Sequence, residues 1–117
     1  MRYLRAAALA VPLLLVAQAS WAAEKYTWDG LGTGDGKCGI YSLHLEFVVD
    51  NGRATGFWQQ KGRTVRNFDF PIKPDGSFAG DVTVGNGGIM HAKGQLGAAP
   101  TIDLSGYCGF GGPLKKE

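Results

Sequence analysis

His44 and His91 are the only imidazoles in the chain. Ser42 and Glu46 flank His44 at a spacing of two, so all three fall on one face of an extended strand. Imidazole beside a hydroxyl and a carboxylate is the raw material of general-base hydrolysis. No nucleophile elbow surrounds Ser42, Ser77 or Ser105, however. Glycoside hydrolysis needs two carboxylates facing each other across a cleft. Glu46, Asp50, Asp69, Asp81 and Asp103 are candidates by number alone. The histidines lie far apart in sequence, with no H-x-H pair, which is poor spacing for a metal site. The expectation is therefore surface histidines, no catalytic residues, no metal ligands and no cofactor. An enzyme built on His44 with Glu46, or on His91, is the competing class.

Cys38 and Cys108 are too far apart for a redox C-x-x-C pair and suit a structural disulfide in an oxidising compartment. Closing so long a loop restricts the unfolded chain by about 4 kcal/mol. One segment has the composition of a contact surface. Trp58, Gln59, Gln60, Lys61 and Arg63 join an amphipathic ring to amides and cations around a turn. Lys61, Arg63 and Arg66 form the basic cluster of the body, expected to be a solvated strand edge. The Gly-rich run LGTGDGK at 31–37 lacks the phosphate-loop spacing and no helix follows it, so it reads as a plain loop.

The compartment follows from the N-terminus. Arg2 and Arg5 precede the apolar run AAALAVPLLLVA at 6–17, and Ser20 and Ala22 satisfy the small-residue rule. Cleavage is expected after Ala22, with Ala23 and Ala19 as neighbouring choices, leaving one domain over 23–117. The apolar run would reach about 18 Å as a helix, short of a hydrocarbon core of about 30 Å. No transmembrane span is expected once the signal is removed. Its loss takes Arg2 and Arg5 away and leaves ten Lys+Arg against ten Asp+Glu. A net-neutral domain argues against nucleic acid as a partner. The protein is expected in the periplasm or secreted.

Positioning any of these groups falls to β-strands. Tyr41, Leu43, Leu45, Phe47 and Val49 alternate with polar residues, the period of a half-buried strand. Asn51-Gly52 then marks a tight hairpin. Further strands are expected over 25–30, 53–60, 64–70, 77–84, 89–96 and 101–106, with a last one near Cys108. KGR, Pro74-Asp75-Gly76 and GNGG supply turns between them. All nineteen glycines fall after the signal, and no mature stretch shows a helical period. Neighbouring strands on short links leave two exposed edges unless the sheet closes. The expected fold is all-β, a small antiparallel up-and-down barrel or rolled half-barrel of seven to eight strands, with a β-sandwich as the alternative.

GKCG at 36–39, DNGRATG at 50–56, PDGSFAGDV at 74–82 and GYCGFGG at 106–112 resemble the strand–turn units of small exported glycine-rich β-domain proteins of Gram-negative bacteria. The resemblance rests on turn chemistry and carries over no catalytic residue. In type, the chain is also similar to periplasmic barrel-type hydrolase inhibitors, although no inhibitory segment can be matched. The functional expectation is a non-enzymatic binding domain whose partner is unknown, an envelope protein being one candidate. An inhibitor of an envelope hydrolase, a small hydrolase and a structural envelope component are the alternatives.

Overall fold

The computed structural model describes residues 24–117; the expected signal, residues 1–22, lies outside them. Alternation produces nine strands among the described residues: β1 (Glu24–Leu31), β2 (Ser42–Asp50), β3 (Arg53–Gln60), β4 (Arg66–Pro71), β5 (Ser77–Thr83), β6 (Ile89–Gln95), β7 (Thr101–Ser105), β8 (Gly109–Pro113) and β9 (Lys115–Lys116). Turns sit where the turn residues stand. Asn51 and Gly52 both take positive φ, 54° and 73°, as a two-residue hairpin between β2 and β3 requires. Gly76 takes positive φ after Pro74-Asp75, and the Asp75 carboxylate accepts hydrogen bonds from the Ser77 backbone N–H and hydroxyl.

The strands form two antiparallel sheets, β9-β1-β2-β3-β4 and β5-β6-β7-β8. This is a β-sandwich, which corrects the expected barrel or rolled half-barrel of seven to eight strands and matches the alternative. Two seams separate the sheets. At one, the backbone pairing between the β4 and β5 edges is the bridge Ile72↔Phe78, just past the end of β4; at the other, Thr33 bridges to Gly109. Two single bridges do not make one continuous wall. The interior explains the separation. Phe47 stacks on Tyr26 at 5.3 Å and meets Phe78 of the facing sheet edge-on at 5.4 Å. Phe68 stacks on Phe70, and Trp58 leans on Phe68. These rings fill the space between the sheets with Leu45, Met90, Ile102 and Leu104. Such a filling holds facing sheets about 10 Å apart, twice the spacing of paired strands.

The disulfide Cys38–Cys108 is present, with both cysteines buried and Cα atoms 5.5 Å apart. It joins the 3-10 turn before β2 to the start of β8, beside the Thr33–Gly109 bridge. At the far end Leu114 is buried, and β9 crosses to pair with β1.

Candidate functional site

The meander puts β1, β3, β5 and β7 C-termini and β2, β4, β6 and β8 N-termini at one pole of the sandwich. There a cleft of about 590 Å³ opens between the sheets. Its aromatic lining comes from Tyr41, Trp58 and Tyr107, and its aliphatic lining from Val84 and Ile89. Gln60, Thr64 and the guanidinium-bearing Arg63 and Arg66 complete the side-chain surface beside Gly85 and Gly88. Among the described residues no carboxylate, histidine, serine or cysteine lines it.

Strand period explains the lining. Trp58 and Gln60 share the inward face of β3 and are 3% and 6% exposed, while Gln59 points to the outer face. Gln60 is a buried amide at the end of a strand and therefore needs a partner. The Tyr107 hydroxyl donates to its Oε1. That bond ties the β7–β8 turn across the cleft to the opposite sheet. Burial raises the Tyr107 pKa, while the positive charges of Arg63 and Arg66 pull it the other way. Both guanidiniums thus lie within electrostatic reach of the phenol. Among the described residues neither arginine forms a salt bridge. The turn is pinned by backbone bonds from Lys61 N–H to Ser42 O and from Arg63 N–H to Gln60 O, and Gln59 Nε2 donates to Arg63 O.

The expected contact set is therefore divided. Trp58, Gln60 and Arg63 belong to the cleft, Lys61 to the exposed turn beside it, and Gln59 to the outer sheet face. Tyr41, Arg66, Val84, Ile89 and Tyr107 were not singled out as partners of that set, because they arrive from other strand ends. Arg66 had a sequence signal as part of the basic cluster. Ile89 had one as an apolar residue on the polar phase of β6.

The histidines sit on the outer faces. His44 lies between two carboxylates, with Nδ1 2.7 Å from Asp29 Oδ1 and Nε2 2.9 Å from Glu46 Oε2. Antiparallel register makes this geometry, since Asp29 is directly opposite His44 on β1. The Glu46 hydrogen bond, followed by that of Asp29, raises the His44 pKa; the same His44 bond lowers that of Glu46. In its protonated form the imidazole donates from both nitrogens, one to each carboxylate, and both carboxylates favour that form. The two carboxylates address opposite sides of the ring and do not converge on one ion. Among the described residues no group of His, Cys, Asp and Glu is placed to hold a metal. His91 pairs with Asp81 at 2.8 Å on the exposed face of the other sheet.

Among the described residues no helix is long and apolar enough to cross a membrane. The chain matches no family model, no curated protein and no solved structure.

Proposed function

We propose that this chain is an exported, non-catalytic binding domain that meets its partner through the cleft-bearing pole. One observation carries the reading. The exposed large apolar side chains of the described residues, Leu31, Ile40, Val65, Ile89 and Tyr107, all lie at that pole. Leu31 ends β1, Ile40 precedes β2, Val65 precedes β4, Ile89 begins β6 and Tyr107 precedes β8. Scattered apolar exposure is ordinary, but convergence on one end of a sandwich marks an interaction surface. The opposite pole carries the Asn51-Gly52, Pro74-Asp75-Gly76 and 97–100 turns, which are polar or small. The disulfide suits an oxidising, extracytoplasmic compartment.

Photo-crosslinking tests this. A benzophenone side chain at Ile89 or Val65 gives a discrete adduct in the native cell envelope, and one at Asp75 or Gly97 gives none. Adducts from the far pole alone would sink the proposal.

Inhibition of an envelope hydrolase is a second reading, favoured by Ile40. It is 73% exposed on a turn pinned by Cys38 two positions away. A protruding apolar side chain on a pre-ordered loop loses little freedom on docking. If this reading holds, mature protein lowers the hydrolytic activity of an envelope extract and Ile40→Asp restores it.

A further inference from the structure

The pole is charged as well as apolar. Segments 32–41, 61–66, 84–88 and 106–108 carry Lys37, Lys61, Arg63 and Arg66 against a single carboxylate, Asp35. The rest of 24–117 has the reverse balance, six cations against nine carboxylates. The domain is near neutral as a whole and strongly divided in space. Among the described residues, three of the six cations elsewhere are matched to acids. Arg53 holds Asp69 at 2.7 Å, Lys116 holds Glu24 at 2.9 Å, and Lys25 reaches Glu46 and Glu117. Among the described residues Arg63 and Arg66 have no such acid, and both stand on a cleft whose remaining lining is aromatic, aliphatic, amide, hydroxyl or glycine.

A guanidinium beside aromatic rings and away from protein carboxylates is suited to a planar anion brought by a partner. The cleft volume, about 590 Å³, accommodates a few side chains. Its rim bears Val65, Ile89 and Tyr107, so apolar groups on either side of the anion would find cover. The seam beside it carries no ladder pairing near the cleft among the described residues. β4 and β5 are edge strands bridged at Ile72↔Phe78, near the far pole, and Arg66 reaches across toward Gly85 at the cleft end, which leaves its guanidinium facing an edge with unpaired backbone.

We propose that the cleft receives an acidic side chain of a protein partner, flanked by apolar residues on an extended segment, with Arg63 and Arg66 taking its carboxylate. This deepens the binding reading above and rests on it. Tyr41, Trp58 and Tyr107 form the apolar wall, and the Tyr107–Gln60 bond sets that wall in place.

The probe is the blocked pentapeptide Ala-Phe-Asp-Phe-Ala, titrated into the mature protein and followed by amide and arginine side-chain resonances. The expected result is a saturable shift centred on Arg63, Arg66 and Tyr107. Replacing the peptide's Asp by Asn weakens binding by about tenfold, and so does Arg63→Gln with Arg66→Gln, about 1.4 kcal/mol. Added salt weakens it as well. An amide spectrum confirms that the double variant stays folded, as expected for arginines outside any salt bridge. The proposal is overturned if the Asn peptide binds equally, if shifts centre elsewhere, or if no peptide binds. Benzoate binding as tightly as the peptide also overturns it, by making a small acid the occupant. The crosslink separates the two levels of inference. An Ile89 adduct that survives R63Q/R66Q at full yield removes the carboxylate and keeps the binding pole. No adduct from the unsubstituted arginine background removes the pole itself.

Discussion

At the scale of single residues, the two most constrained polar side chains do different work. Gln60 is buried and leans on one donor, the Tyr107 hydroxyl. Tyr107→Phe leaves that amide oxygen short of a partner and costs about 1 kcal/mol, measured as a lower urea midpoint at an unchanged slope. A midpoint equal to that of the parent protein would mean that water takes the hydroxyl's place without loss. His44 makes a pH-dependent contribution. Its pKa is raised, through Glu46 first and Asp29 second, so its share of stability is complete below the unfolded value of 6.5. That share disappears as pH rises through the higher folded value. Glu46 is lowered by His44, so its share is present above 4.5 and lost as pH falls through the lower folded value. The network is therefore strongest between these two unfolded values. Both groups are substantially solvated, which keeps the effect small. His44→Gln should show a smaller fall in unfolding midpoint from pH 6 to pH 8 than the parent protein. Parallel pH profiles for the two proteins would refute the assignment. The Ser42, His44 and Glu46 spacing was visible in sequence, but Asp29 was not, because it comes from across the β1–β2 ladder.

At the scale of elements, glycine marks where aromatic rings lie across a strand. A Cβ on Gly94 would stand 2.1 Å from the Phe78 ring, and one on Gly80 would stand 2.2 Å from Phe70. Phe78 and Gly94 are cross-strand partners on β5 and β6, so the ring of one occupies the side-chain space of the other. Gly94→Val should therefore destabilise by about 1–3 kcal/mol through overpacking, read from chemical denaturation. Gly39→Ala, at a position with open space and no left-handed backbone, should be close to neutral. A neutral Gly94→Val would show that Phe78 moves aside at no cost. Strands and turns were legible because alternation is local: Leu43, Leu45 and Phe47 are buried as their period requires, and Asn51-Gly52 turns as its chemistry requires. The cleft was less legible. The contact set contained Trp58, Gln60 and Arg63 because they are neighbours on one strand and its turn. Tyr107 and Ile89 join them only through the packing of one sheet over the other. Gln60 is in phase with Trp58 on β3, but residue type obscured its burial, since an amide at a strand end is more often solvated.

At the scale of the whole molecule, the barrel expectation failed at the seams. Hairpin-length links correctly made each strand pair with its neighbours inside each sheet, but Pro71 ends β4 and Pro74 stands in the link after it, which leaves one bridge, Ile72↔Phe78. The number of ladder bonds across such a corner depends on core thickness, which is set by rings from distant strands. The opposite seam has its own solution: one bridge, Thr33↔Gly109, reinforced by Cys38–Cys108. The cleft pole is thus fastened covalently on one side and held by side-chain packing alone on the other. A disulfide spanning 70 positions restricts the unfolded chain, but here it also holds the two sheets together where the ladder does not. Cys38→Ala with Cys108→Ala should lower global stability by about 4 kcal/mol. The loss should not be even. Amides of 32–41 and 106–110 should exchange faster than those of the Asn51-Gly52 and Gly76 turn regions, beyond what the global change explains. Ligand binding at the cleft should weaken with them, since Tyr41 and Tyr107 both stand within three residues of a bridged cysteine. Uniform acceleration of exchange across both poles would mean that the bond acts on the unfolded chain alone. The pole would then owe its shape to the aromatic core, and the wall formed by Tyr41, Trp58 and Tyr107 would persist without the disulfide.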